Sequence, residues 1–207
     1  MEGGRRRYRG DRRKRIAILR LLGVVLAGGK STRFGSDKAF AEVENRPLIA
    51  HVLDSLSLCD ATLVVGRTAL ELNAQDSPPC IPDAEGFEGP VAGLVAALGW
   101  AAQNSYSHVF LTSCDLLGLA PEWPRALASE ARPAAAVKNQ VWQSMCSAWE
   151  VTALKGYRPS SNSSIWKMLD DLGASVVDPP EGWANVHGVN TPEDLMRARK
   201  RLRAQQS

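Results

Sequence analysis

The chain has 207 residues, of which 44% are hydrophobic and 23% charged, with 17 glycines and 12 prolines. This is the make-up of one globular domain with room for an extension, and it excludes a collagen-like, a wholly disordered or a coiled-coil chain. The net charge of +3 is concentrated at the start: residues 1–15 carry eight basic side chains against Glu2 and Asp11, a net +6, which leaves about −3 for the rest.

Residues 1–20 read as a basic, solvated and disordered leader, with the folded domain expected over 21–207. Binding of nucleic acid by this leader is disfavoured, because nothing aromatic beyond Tyr8 interleaves its arginines; salt-sensitive RNA binding through it stays open as a lesser alternative. The apolar stretch at 16–26 is broken by Arg20 and Gly23, so neither a secretory signal nor a membrane span is expected. Cys59, Cys80, Cys114 and Cys146 are scattered without a CxxC or Cys/His pairing. That pattern suits free thiols in a reducing, cytoplasmic setting rather than a zinc site or a disulfide framework.

From residue 21 the elements alternate. The apolar run at 21–26, ended by glycines, predicts a strand buried on both faces. Pro47 opens a helix to residue 58 with Leu48, Ile49, Val52, Leu53 and Leu56 at helical spacing, and a β-branched strand follows at 62–65. Gly89 and Pro90 precede a helical stretch at 91–102, and 109–112 is a second buried strand. Residues 121–159 are rich in alanine and hold Trp123, Trp142 and Trp149; a partly antiparallel excursion is expected there, with a strand near 144–149. Ser163 and Ser164 cap a helix that Gly173 ends, 174–177 gives a last strand, and Thr191, Pro192, Glu193 and Asp194 make a strong start for a helix running to the C-terminus. The alternation predicts a single α/β domain with a mostly parallel sheet.

The most informative segment follows the first strand: Leu26, Ala27, Gly28, Gly29, Lys30, Ser31, Thr32, Arg33, Phe34, Gly35, Ser36, Asp37, Lys38, Ala39. Its glycines let backbone N–H groups approach a phosphate, and Lys30, Arg33 and Lys38 supply fixed positive charge for a triphosphate. It is neither GxxxxGK[ST] nor GxGxxG, which disfavours a P-loop ATPase and a dinucleotide-binding dehydrogenase. Asp115 lies just beyond the strand at 109–112, where open α/β sheets place ligands. His51, His108 and His187 are given no role; His187 alone lies beside a candidate metal segment.

This loop resembles the signature LAGGxSxRMGxDKA of the molybdenum cofactor guanylyltransferases, the MobA-like branch of the nucleotidyltransferases, with Phe34 at the usual Met. The likeness continues in family order through Arg46-Pro47-Leu48, Pro82-Asp83, Gly89-Pro90 with Ala92-Gly93, Cys114-Asp115 and Val189 to Leu195. It implies a three-layer αβα domain of the nucleotide-diphospho-sugar transferase type, carrying GMP from GTP to a molybdopterin-type acceptor with release of pyrophosphate. By the same likeness Leu26, Ala27, Gly28 and Gly29 line the nucleotide, Arg33 and Lys38 are catalytic contacts to the phosphates, and Asp83 with Gly89 meets base and ribose. Asp115 would touch both nucleotide and Mg²⁺, with Asn190 as the second metal ligand. A downstream molybdoenzyme or chaperone would take the product.

Three positions depart from the family: the CDxPxL proline is absent from Cys114-Asp115-Leu116-Leu117-Gly118-Leu119, Gly188 replaces the first Asn of NxN, and "QPL" appears only as Gln143-Ser144-Met145. They fall on the acceptor side and keep two alternatives open. One is a cytidylyl- or sugar-phosphate nucleotidylyltransferase; the other is a GTP-binding accessory protein without turnover.

Overall fold

The computed structural model describes residues 19–28, 37–67, 77–160 and 162–205. In chain order the strands are β1 Leu21–Leu26, β2 Glu42–Val43, β3 Arg46–Pro47, β4 Ala61–Val65, β5 Cys80–Ile81, β6 His108–Ser113, β7 Leu116–Leu117, β8 Ala134–Asn139, β9 Val141–Glu150, β10 Ser175–Val177 and β11 His187–Gly188. The helices are α1 Leu48–Asp54, α2 Gly89–Gln103, α3 Trp123–Glu130, α4 Ile165–Asp171 and α5 Pro192–Gln205, with 3-10 turns at Lys38–Phe40 and Trp183–Asn185.

Seven strands form one sheet in the order β10-β8-β9-β6-β1-β4-β5. β1 lies between β4 and β6, parallel to both, with Val24 opposite Leu63 on one side and Leu111 on the other. β9 alone runs against the rest, pairing antiparallel with β6 and β8. The chain leaves β1 toward β4 and β5, then crosses back to β6 on β1's other flank. That reversal opens a crevice at the carboxyl ends of β1 and β6.

Alternation along β1 explains the three layers. Leu21 and Val25 join the cluster holding Leu48, Ile49 and Val52 of α1, Leu127 of α3 and Ala198 of α5. Leu22 and Val24 join the opposite cluster, with Val91 and Leu94 of α2 and Ile165, Met168 and Leu169 of α4. Each buried leucine or valine contributes roughly 1.5–3 kcal/mol relative to exposure, so both faces need apolar residues and the strand reads as a continuous run rather than an alternating one.

The expected elements are present, with extents set by packing. The strand expected near 144–149 extends over Val141–Glu150, and α1 stops at Asp54 rather than 58. Several elements were not foreseen: the two-residue strands β2, β3, β5, β7 and β11, the helix α3, which begins one residue before Pro124, and β8, built largely of fully buried alanines. Leu19 packs on the core and the Arg20 guanidinium lies 4.7 Å above the Tyr106 ring; the leader before them, residues 1–18, lies outside the described residues. Among the described residues no helix is long and apolar enough to cross a membrane, and the four cysteines are free.

Candidate active site

The crevice is framed by backbones that touch. The Ala27 N–H donates to the Val65 carbonyl at 2.8 Å, which carries the pairing of β1 with β4 one residue beyond the strand. Next to it stand Gly28 and Gly66, the latter at φ +90°, a left-handed conformation that glycine adopts without penalty. A Cβ on Gly66 would lie 2.5 Å from Gly28 N and Cα, and one on Gly93 would lie 2.5 Å from Leu26 Cδ2. The Asp83 carboxylate faces the same point, 3.0 Å from where a Gly28 Cβ would stand and 3.4 Å from that of Gly93. Burial pushes the Asp83 carboxyl above its ordinary value, and no basic side chain among the described residues pairs with it. The result is a close approach of three segments that only glycine permits, with the Asp83 carboxylate, an acceptor, standing beside it.

Gly89 opens α2 at φ +56° with nothing within 4 Å of a hypothetical Cβ, so Gly93 is the α2 glycine that meets β1. The Ala84 N–H donates to the Ala92 carbonyl at 3.2 Å and ties the segment carrying Asp83 to this helix.

A second cluster lies at the end of β6. The Lys38 ammonium donates to Asp115 Oδ2, and to Asn190 Oδ1 at 2.9 Å. The hydroxyl of Ser113 donates to Asp115 Oδ1, so both oxygens of this carboxylate are engaged. Asn190 arrives through two devices. β7 and β11 pair antiparallel, and the Val189 N–H then donates to the Asp115 carbonyl at 2.9 Å. At the start of α5 the Thr191 hydroxyl accepts from the Asp194 N–H at 3.1 Å, while the Asp194 carboxylate accepts from the backbone N–H groups of Asn190 and Thr191 at 3.1 and 3.0 Å. This reciprocal cap is the TPED signal of the sequence made physical. Hydrogen bonds from the Thr191 hydroxyl and these N–H groups hold the Asp194 carboxyl below its usual range.

The site suits a hard dication. A carboxylate and a carboxamide oxygen converge on one point that already holds a positive charge, the Lys38 ammonium. Among the described residues no group of three or more His, Cys, Asp or Glu is placed to hold a metal. That is no obstacle for Mg²⁺, which commonly takes one or two protein oxygens and completes its shell from phosphates and water.

Of the residues singled out in the sequence, the fold gathers Leu26, Ala27, Gly28 and Asp83 at one end of the crevice and Lys38, Asp115 and Asn190 at the other. Gly29 and Arg33 lie outside the described residues. Two contributors were missed. Arg67, directly after β4, grips the Asp37 carboxylate with both terminal nitrogens at 2.6 and 2.5 Å and sits 5.3 Å over the Phe40 ring. Asp37 in turn accepts from the Ala39 N–H at 3.2 Å and caps the turn that presents Lys38. The Arg67 hydrogen bonds hold the Asp37 carboxyl below its usual value. A basic residue right after a strand-ending glycine was the available signal. Ser113, two residues before Asp115, is the other.

The remaining groups are structural. His51 Nε2 bonds the Val43 carbonyl, His187 Nδ1 bonds the Asn185 carbonyl, and His108 is held below its ordinary value by burial. Burial pushes the Cys114 thiol, next to Asp115, up to about 11, which keeps it protonated and inert.

The MobA-like NTP transferase domain family matches residues 23–174, from within β1 to the residue before β10, a span that includes Lys38, Asp83 and Asp115. The chain belongs to this family. The molybdenum cofactor guanylyltransferase of Rhodobacter capsulatus is 32% identical over 196 residues, spanning 89% of this chain and 98% of that protein. Among solved structures, the molybdopterin-guanine dinucleotide biosynthesis protein A of Archaeoglobus fulgidus superposes with a TM-score of 0.69 at 23% identity, over 89% of this chain and 99% of its own. The 2-C-methyl-D-erythritol 4-phosphate cytidylyltransferase of Thermus thermophilus reaches 0.62 at 17% identity, over 87% and 98%. At these identities the structures establish the shared nucleotidyltransferase fold.

Proposed function

We propose that this MobA-like domain transfers GMP from GTP to a molybdopterin-type acceptor and releases pyrophosphate. The observation that carries the reading is the convergence of Lys38, Asp115 and Asn190 beside the glycine-lined crevice, in a chain whose relatives over nearly their full length are guanylyltransferases. The base enters beside Gly28, Gly66 and Gly93, where the Asp83 carboxylate accepts from the N1–H and amino edge of guanine. By the likeness to the family, Lys38 serves the α-phosphate and Arg33 the triphosphate. An oxygen of the acceptor phosphate attacks the α-phosphorus in line; that P–O bond forms as the bond to the β-bridging oxygen breaks, and the electron pair leaves with pyrophosphate. The nucleophile is already ionised, so the chain's task is positioning and charge stabilisation rather than proton abstraction. Mg²⁺, when bound to Asp115 and Asn190, supplies neutralisation of the triphosphate. The free cysteines fit a reducing cytoplasm as the site of this reaction.

The test is pyrophosphate release from GTP, CTP, UTP and ATP, each with Mg²⁺ and a molybdopterin-type acceptor, with Lys38→Ala as control. Release selective for GTP and dependent on the acceptor is expected. GTP bound without release would move the reading to another acceptor or to an accessory role, which the changed residues Leu117, Ser144, Met145 and Gly188 would then explain.

A further inference from the structure

Lys38 stands where the proposed metal belongs. Its ammonium donates to Asp115 Oδ2 and Asn190 Oδ1, the two oxygens read above as metal ligands. The contact is sheltered, with side chains only 15% and 19% exposed for Lys38 and Asp115. Ser113 occupies the other Asp115 oxygen, so the ammonium covers the oxygen that a metal would take. Arg67, through Asp37, holds the turn from which Lys38 reaches across.

We infer that Lys38 is a resident stand-in cation: in the nucleotide-free protein it fills the Asp115–Asn190 pair and keeps a dication out, and it gives the pair up when a triphosphate offers its ammonium a better anionic partner. The inference rests on the metal-site reading and adds an order of events to it. A carboxylate with both oxygens satisfied and an ammonium alongside repels a second cation, so free metal binds poorly. Nucleotide phosphates draw Lys38 toward the α-phosphate and expose the pair, so metal and nucleotide enter together. One side chain thereby serves two sites in turn. The protein does not have to keep a bare carboxylate in a half-buried crevice, where an unpaired charge is costly.

The experiment is Mn²⁺ binding to the full chain, read without nucleotide as loss of the free-ion electron paramagnetic resonance signal and with GTP as Mn²⁺ retained with the protein in excess of a protein-free Mn²⁺–GTP sample, since GTP itself binds the ion. Wild type is expected to bind Mn²⁺ weakly alone and more tightly with GTP. Lys38→Met should bind Mn²⁺ without nucleotide about tenfold or more tighter than wild type. Lys38→Arg, which keeps the charge, should show no gain, and Lys38→Met combined with Asp115→Asn should lose it. Lys38→Gln carries the same expectation as the methionine variant and replaces it where that variant does not fold. Nucleotide-free affinity equal to wild type in both neutral variants, or a gain that survives Asp115→Asn, would overturn the stand-in role while GTP-dependent Mn²⁺ retention by wild type preserved the metal site. Failure of wild type to retain Mn²⁺ with GTP, unchanged by Asp115→Asn, would remove the metal site and this inference together.

Discussion

At the carboxyl ends of β1 and β4, against α2, the chain comes so close to itself that Gly28, Gly66 and Gly93 leave room only for one another, Leu26 and the Asp83 carboxylate. Along β8 and β9 an equally tight space is filled instead, by the methyls of Ala134, Ala135, Ala136 and Ala148 and by a fully buried Trp149 whose indole donates to Ser147 Oγ at 2.9 Å. In the first region the missing side chains let three segments close on one another, and the Asp83 carboxylate, from a distant segment, stands beside them. In the second, small side chains serve only to pack. Substitutions in the crevice should therefore change chemistry at little cost in stability, and substitutions along β8 and β9 the reverse.

The sharpest separation comes from Lys38→Ala, for which we expect pyrophosphate release to fall by about 10²–10³-fold or more while the protein stays folded, with a smaller loss of stability than Trp149→Ala gives; unaltered turnover would remove the Lys38 assignment. Trp149→Ala should show the opposite profile, a loss of about 3–5 kcal/mol in urea unfolding with kcat/KM per folded molecule preserved. A matching collapse of kcat/KM would erase the contrast between the regions. Gly66→Ala tests the boundary: its φ of +90° and the 2.5 Å approach to Gly28 predict a destabilisation of about 1–3 kcal/mol together with a raised KM for GTP, because the displaced backbone lines the crevice.

Smaller effects follow from the supporting groups. Arg67→Lys keeps the charge but loses the two-pronged grip on Asp37, so kcat should drop by roughly tenfold or less with KM little changed. The smallest is a pH effect. The Asp83 carboxyl lies above its ordinary value because it is buried, and protonation turns one of its two oxygens into a donor, so that in the proposed reading it can no longer accept from both donors of the base. GTP affinity should then fall on acidification at a higher pH than an ordinary carboxylate would give, and Asp83→Asn should flatten that dependence in titration calorimetry.

Much of the frame was legible. β1 and β6 announced themselves as short apolar runs, because a strand covered on both faces tolerates nothing else. The TPED start of α5 was equally plain, since a helix's first N–H groups need local partners that Thr191 and Asp194 can supply within four residues. β8 was hidden, because a run of alanines carries no strand preference of its own and is held extended only by β9 and β10 beside it. Arg67 was hidden for a related reason: its place after the glycine that ends β4 hinted at a site, but its partner Asp37 is 30 residues away.

Local patterning was enough for the alternation of strands and helices, because periodicity and turn residues are short-range signals, while the likeness to the MobA-like family pointed to Lys38, Asp83, Asp115 and Asn190 as the residues to watch. Only the tertiary structure decided that the Lys38 ammonium rests between Asp115 and Asn190, 77 and 152 residues further along the chain. Such a meeting depends on the crossover that sets β6 beside β1 and on the β7–β11 pairing that brings Asn190 back to Asp115. Hydrogen bonds reach about 3 Å, and only a packed sheet brings groups so far apart along the chain within that distance.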